Sequence, residues 1–195
     1  MLLQEIKADF ATFAGNRFES LTGRSKLHQL WICWRVLWDA ETLHAVILYR
    51  ISGWLRRHHV PLLPWVIARW NLATVGLWIG PWATIAPGVY FPHGQVVIDG
   101  FVTIGAGCVF APFVTVGLLD AVGENGEAIV YGPTLGKQVQ VGTGAKLLGP
   151  ISVGDGARIG ANAVVLHDVP AGATAVGVPA RVILPGAHSK AERPS

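Results

Sequence analysis

The stretch "VGTGAKLLGPISVGDGARIGANAVVL", residues 141–166, places an aliphatic residue at every sixth position. These positions are Val141, Leu147, Val153, Ile159 and Val165, and glycine follows three of them. A six-residue period is typical of a parallel β-helix, in which six residues form one flat side and three sides complete a coil. The large side chains point into the prism, and glycines permit the tight corners.

The same period begins much earlier in the chain. Its members are Ile79, Ile85, Phe91 and, after a one-residue slip, Ile98, Ile104, Phe110 and Val116, before it resumes at Leu135. Residues 117–134 interrupt it and predict a long loop between coils. Residues 79–98 carry no formal charge, but Gly80, Pro81, Pro87 and Pro92 among them suit β-helix corners better than a membrane span. We therefore expect a mainly β fold with a β-helix domain over residues 78–184 and a tail at 185–195.

The first 77 residues have a helical pattern instead and predict an N-terminal α-helical domain. All eight tryptophans lie between Trp31 and Trp82, and the first three are spaced i, i+3, i+7. Asp39 is placed to cap a helix that continues through "LHAVILYRISGWLRR". Prolines 61 and 64 end it and begin a short helix across "WVIARWNL".

Composition narrows the function. The formal net charge is only +3, and the longest basic run is the Arg56-Arg57 pair, so nucleic acid is not an expected partner. Cys33 and Cys108 fit neither a disulfide framework nor a metal-ligand spacing. With no export signal in the first residues, the expected setting is the cytoplasm.

Three segments carry a family resemblance: "FPHGQVVI" around His93, the stretch at 141–166, and "VPAGATAVGVPARVI" at 169–183. Together they resemble the serine acetyltransferases of the hexapeptide-repeat acyltransferase superfamily, including relatives in exopolysaccharide gene clusters. The resemblance implies a left-handed β-helix, a homotrimer and an acyl-CoA-dependent O-acyltransferase, with acetyl-CoA or another acyl-CoA as co-substrate and no metal.

The resemblance also implies roles for individual residues. His93 stands at the position of the catalytic base, and imidazole is suited to take a hydroxyl proton near neutral pH. For CoA, the matching small corner residues are Thr143 and Ala161, and Arg181 with Lys190 or Arg193 are candidates for its phosphates. The alternative for His93 is a structural corner histidine, and each of the basic residues could equally be a solvated surface charge.

Three serine-site side chains of the family are replaced here, by Trp78, Pro92 and Gly132. A zwitterionic acceptor needs charged partners, so the sequence favours a hydroxyl on a sugar, glycoconjugate or other small molecule over L-serine. Four carboxylates are candidates to orient His93: Asp99, Asp120, Glu124 and Glu127. The last three lie in the interrupting loop, for which we prefer a lid or acceptor-binding role over an idle excursion.

Other interpretations stay open. Serine could still be the acceptor if the loop carboxylates replace the lost groups, or the chain could be a non-catalytic scaffold, as Trp78 would allow. A metal site of the carbonic anhydrase type needs three histidines, whereas the repeats offer only His93 and His167. The tryptophan-rich helices could anchor the chain at a bilayer surface, although packing against protein is the commoner use of such faces.

Overall fold

The computed structural model describes residues 2–17, 25–28, 31, 34–35, 41–118 and 131–186. Three helices have described bounds: α1 (Leu2–Arg17), α2 (Glu41–Arg57) and α3 (Leu63–Val75). The strands are β1 (Leu77–Ile79), β2 (Thr84–Ile85), β3 (Val96–Ile98), β4 (Phe101–Ile104), β5 (Val109–Phe110), β6 (Thr115–Gly117), β7 (Tyr131–Leu135), β8 (Gln140–Val141), β9 (Lys146–Leu148), β10 (Ser152–Val153), β11 (Arg158–Ile159), β12 (Val164–Val165), β13 (Thr174–Val176) and β14 (Arg181–Ile183).

The strands form three sheets, which are the three sides of a prism. Face A has the order β1-β3-β6-β9-β12, face B has β10-β7-β4-β2, and face C has β14-β13-β11-β8-β5. The described pairings are parallel except for the final β13–β14 pair. The predicted mainly β fold, a left-handed β-helix behind N-terminal helices, is confirmed.

The six-residue period corresponds to the core of the prism. Every residue of that period, from Ile79 to Val165, is at most 8% exposed, and Phe91 stacks on Phe110 with ring centroids 5.5 Å apart. Burial of each such side chain contributes roughly 1.5–3 kcal/mol. The core is therefore a continuous apolar column that rises through the coils.

A buried ion pair joins the helices to the prism. Arg50 of α2 donates from Nε to Asp9 Oδ2 of α1 at 2.9 Å, and its other nitrogens donate to the carbonyls of Ile85 and Ala86. Asp9 Oδ1 in turn accepts from the backbone N–H of Gly88 at 2.7 Å. Both members of the pair are buried, so these contacts fix the helices against the first coil.

Several predicted features lie outside the described residues. These are the cap at Asp39, the loop carboxylates Asp120, Glu124 and Glu127, and the tail residues Lys190 and Arg193. The interrupting loop leaves face A after Gly117 and returns on face B at Tyr131, so its base is the corner between those two faces.

Candidate active site

His93 lies at the corner between faces C and A. The coil that contains this corner has one residue more than the coil that follows it. On face C, Tyr90 is paired with Val109, nineteen residues on, whereas on face A, Val97 is paired with Thr115, eighteen residues on. The extra residue therefore falls between Tyr90 and Val97. The slip seen in the sequence period is confirmed, and the exposed side chain of His93 projects at this widened corner.

The C-terminal end of α3 is packed directly on that corner. The backbone N–H of Gln95 donates to the carbonyl of Val75 at 3.1 Å, and a Cβ at Gly94 would overlap the same carbonyl oxygen. Gly76 ends the helix in the left-handed conformation, with φ of 68°. Only glycine at position 94 lets the helix approach this closely.

Together the helix end and the corner form an open cleft of about 520 Å³ around His93. Its lining is Leu72, Ala73, Thr74, Val75, Gly76, His93, Gly94, Gln95, Pro112 and Phe113. No hydrogen bond among the described residues reaches the His93 ring, and its exposed side chain lines the cleft.

The corner continues up the prism as a regular column. Gly76, Gln95, Phe113, Gly144 and Asn162 occupy equivalent positions, and all five have positive φ, from 55° to 75°. Three of them are not glycine, although left-handed backbone is unfavourable for a bulky residue such as Phe113. The stacked coils therefore impose this backbone turn at every level.

The two small residues expected to contact CoA lie in this column. Thr143 and Ala161 each precede a member of it, as Gly94 does, and both are exposed. They lie two and three coils above Gly94, which at 4.8 Å per strand is about 10 and 14 Å. The structure thus brings both predicted residues onto the edge that carries His93.

Arg181 is at the far end of the same edge. It is paired with Val176 in the last two strands, and a Cβ at Gly160, the residue before Ala161, would contact the Val176 side chain. The guanidinium is exposed. His93, Thr143, Ala161 and Arg181 therefore follow one another along a single corner of the prism.

Asp99 is not beside His93 within one chain. Strand β3 lies between them, and Asp99 sits at the next corner, between faces A and B, where its carboxylate accepts from the N–H of Gly100 at 3.0 Å. Its backbone carbonyl faces Gly117 and Gly132, at the base of the interrupting loop. Its role as an orienting group stays a prediction, and the structure places it with the loop.

Trp78 has a structural environment of its own. It is partly buried on face A with the guanidinium carbon of Arg69 5.9 Å from its ring, and it lines an apolar cleft of 290 Å³ between the helices and β1. Gly132 is buried against Val102, leaving no room for a side chain. Trp78 and Gly132, which replace serine-site residues of the family, therefore both take part in the packing of this chain.

Sequence reasoning missed one cation next to the site. Lys146 is in register with Thr115 on face A, and its ammonium donates to the Phe113 carbonyl at 2.8 Å and to Thr115 Oγ1 at 3.0 Å. It thereby holds the Phe113 turn that lines the cleft. Lys146 directly precedes the inward residue Leu147 of the six-residue repeat, so its side chain points outward. This position is the sequence feature from which the cation could have been predicted.

In the described part of the chain, no three His, Cys, Asp or Glu side chains come together as a metal site. None of its helices is long and apolar enough to cross a bilayer.

Comparison with known proteins agrees with this architecture. Residues 132–167 match the family model described as bacterial transferase hexapeptide (six repeats). A solved serine acetyltransferase in complex with CoA superposes with a TM-score of 0.75 at 27% identity, over 93% of this chain and 69% of that one.

Curated relatives give the family. The chain is 37% identical to the serine acetyltransferase of Synechococcus elongatus over 71% of its own length, but spans only 55% of that relative. It is 39% identical to the serine acetyltransferase of Helicobacter pylori strain J99 over 77% of its length and 85% of that relative. The resemblance to serine acetyltransferases is thus confirmed, and the chain belongs to the serine acetyltransferase family.

Proposed function

We propose that the chain is an acetyl-CoA-dependent O-acetyltransferase in which His93 is the general base and L-serine is the acceptor. The hydroxyl oxygen attacks the thioester carbonyl while His93 takes its proton. The intermediate then collapses, the carbon–sulfur bond breaks, and the imidazolium returns the proton to the CoA thiolate. The observation that carries this proposal is an exposed histidine in an open cleft, at the widened corner of a chain that belongs to this family.

Acyl-CoA is proposed to lie along the corner column. The exposed small residues Thr143 and Ala161 leave room for the pantetheine arm, and the guanidinium of Arg181 at the far end suits a phosphate. Lys190 of the tail is a second phosphate candidate. The column extends about 14 Å from Gly94 to Ala161, which suits an extended ligand whose thioester reaches His93.

A homotrimer is proposed to complete the site. The cleft is open on one side, and Asp99 lies at a corner that a single chain does not bring to His93. The other candidate carboxylates, Asp120, Glu124 and Glu127, belong to the interrupting loop, whose described ends lie at that same corner. In a closed threefold arrangement the corner of one subunit faces the next. A neighbouring subunit would then supply the orienting carboxylate and the charges that serine needs.

The chemistry of the cleft favours a second candidate acceptor, a hydroxyl of a sugar, glycoconjugate or other small molecule. Among its described lining residues, His93 is the one ionisable side chain, and leaving an ammonium and a carboxylate without partners costs several kcal/mol. Such an acceptor would place the chain beside the exopolysaccharide-cluster relatives of the family. A cytoplasmic location, with access to acyl-CoA, is proposed for either acceptor.

One assay distinguishes the two candidate acceptors. Purified full-length protein is given acetyl-CoA with L-serine or, separately, with a panel of sugars, and the release of free CoA thiol is followed. Turnover with serine supports the proposal. Turnover with a sugar and not with serine would overturn the acceptor assignment, and binding of CoA without turnover on any acceptor would favour the scaffold interpretation.

A further inference from the structure

Helix α3 exposes an unusually apolar surface. Five large side chains of the helix and the residue before it are 46–79% exposed: Leu62, Leu63, Trp65, Val66 and Trp70. The opposite side of the helix, with Pro64 and Asn71, is buried against α2 and β1. We call the exposed side chains the α3 outer face. Two tryptophans and three aliphatic residues at this exposure are costly in water.

The sequence segment that carries this face has charges of one sign. Between Glu41 and Asp99 the sequence contains no Asp or Glu, whereas Arg56, Arg57 and Arg69 all fall within it. Arg69 lies on the outer face itself, with its guanidinium carbon 5.0 Å from the ring of Trp65. Packing of arginine on tryptophan keeps the charge at the surface while the ring contacts apolar material.

The described carboxylates on the adjoining elements do not cancel this charge. Asp9 of α1 is buried and committed to Arg50. Glu5 of α1 lines a cleft of 350 Å³ together with Arg56 and Arg57, so it can offset one of those two cations. The apolar cleft next to Arg69 has no carboxylate among its lining residues. The face is apolar with a net positive rim.

We propose that the α3 outer face docks on a bilayer that contains anionic phospholipid. Tryptophan and aliphatic side chains would enter the boundary between headgroups and acyl chains, and the arginines would contact phosphate. The helix has 13 residues, or about 20 Å, which is too short to cross the hydrocarbon core of about 30 Å. It would therefore lie in the plane of the surface.

The positive charge at the α3 outer face argues against a second copy of this chain as its binding partner. A twofold contact through this face would bring each arginine cluster close to its own copy, because such an interface pairs identical surfaces. Like charges brought together across an interface disfavour association. An anionic lipid surface meets the same face with opposite charge.

Docking would also fix the position of the cleft. Leu72, near the C-terminal end of α3, is 38% exposed and lines the His93 cleft. The cleft would therefore open next to the bilayer surface. This inference does not depend on which acceptor is used, and its test does not need catalytic activity.

The test is co-sedimentation of the full chain with vesicles of equal parts phosphatidylglycerol and phosphatidylcholine, and with pure phosphatidylcholine vesicles. We expect binding to the anionic vesicles that weakens with added salt. The double variant Trp65→Ser/Trp70→Ser and the variant Arg69→Glu should each bind about tenfold or more weakly. The matched control is Leu184→Ser, which removes an equally exposed apolar side chain, 57% exposed, at the other end of the prism.

Circular dichroism and thermal unfolding verify that each variant is folded. Equal sedimentation of the double variant and the parent chain would overturn the proposal, as would equal binding to both vesicle types or no binding to either. Light scattering after size exclusion tests the alternative that a second copy of the chain covers this face. If the double variant loses a multimer that the parent chain forms, while vesicle binding is unchanged, a second copy covers the face and the proposal is wrong.

Discussion

Gly94 and Val75 are in contact at the corner where the helices meet the prism, so closely that a Cβ on residue 94 would overlap the Val75 carbonyl oxygen. The same carbonyl accepts a hydrogen bond from the N–H of Gln95 at 3.1 Å. His93 directly precedes Gly94 and Gln95 in the chain. These two contacts therefore hold the candidate base and the end of α3 together.

Gly94→Ala should therefore separate α3 from the corner. We expect a loss of about 1–3 kcal/mol in the free energy of unfolding from overpacking, with a large fall in activity because the cleft opens. Urea unfolding and the CoA-release assay measure the two effects. Gly15→Ala is the control, because a Cβ there meets nothing within 4 Å; an unchanged Gly94→Ala protein would contradict the described contact.

Asp9→Ala should be strongly destabilising. The substitution leaves the buried Arg50 guanidinium without its anion, and breaking such a pair typically costs about 3–5 kcal/mol. Chemical denaturation measures the loss. Asp168→Asn provides the comparison, because its carboxylate accepts one exposed hydrogen bond from the Ser152 N–H and should change stability by less than about 1 kcal/mol. Equal effects at the two sites would argue against a structural role for the ion pair.

The proposed CoA path predicts effects on KM rather than kcat. Ala161→Leu narrows the corner column and Arg181→Ala removes a phosphate partner, so each should raise KM for acetyl-CoA about three- to tenfold. Initial rates at varied acetyl-CoA measure this. Ala171→Leu and Lys137→Ala make matched changes at the corner between faces B and C and should leave KM unaltered; a rise there of similar size would place CoA elsewhere.

Stability should fall in alkaline solution. Burial raises the pKa of the Cys108 thiol above its ordinary value of 9.0 and raises the pKa of the Tyr49 hydroxyl above 10.0. A raised pKa in the folded state means that the unfolded chain loses these protons first, so stability present below pH 9 declines as the pH increases beyond it.

Urea unfolding between pH 8 and pH 11 measures this decline. The double variant Cys108→Ala/Tyr49→Phe should lose less stability than the parent chain over this alkaline range. It also removes a hydrogen bond from the Tyr49 hydroxyl to the Ala83 carbonyl, 2.9 Å, so the comparison is of slopes rather than absolute stabilities. Identical slopes would show that these two groups do not control the alkaline transition.

The six-residue period was enough to predict the prism and the widened corner at His93. Core positions such as Phe91 and Ile98 are specified locally, because each inward side chain repeats at a fixed spacing whatever the rest of the chain does. The order of Thr143 and Ala161 along one edge follows from the same spacing.

Contacts between distant segments could not be predicted in this way. Gln95 and Phe113 have left-handed backbone with no glycine to indicate it, because the stacked coils impose the turn. The approach of Val75 to Gly94, and the separation of Asp99 from His93, depend on how the helices dock and on which corner each residue reaches. Neither leaves a periodic pattern in the sequence.

The central claim is that His93 transfers the proton and does not merely shape the corner. The direct measurement is the rate of CoA release by His93→Ala and His93→Gln with the best acceptor, beside CoA binding by calorimetry. We predict a fall of about 10²- to 10⁴-fold in kcat for both variants, with CoA affinity retained. Turnover within a few fold of the parent chain, in variants that still bind CoA, would contradict the claim.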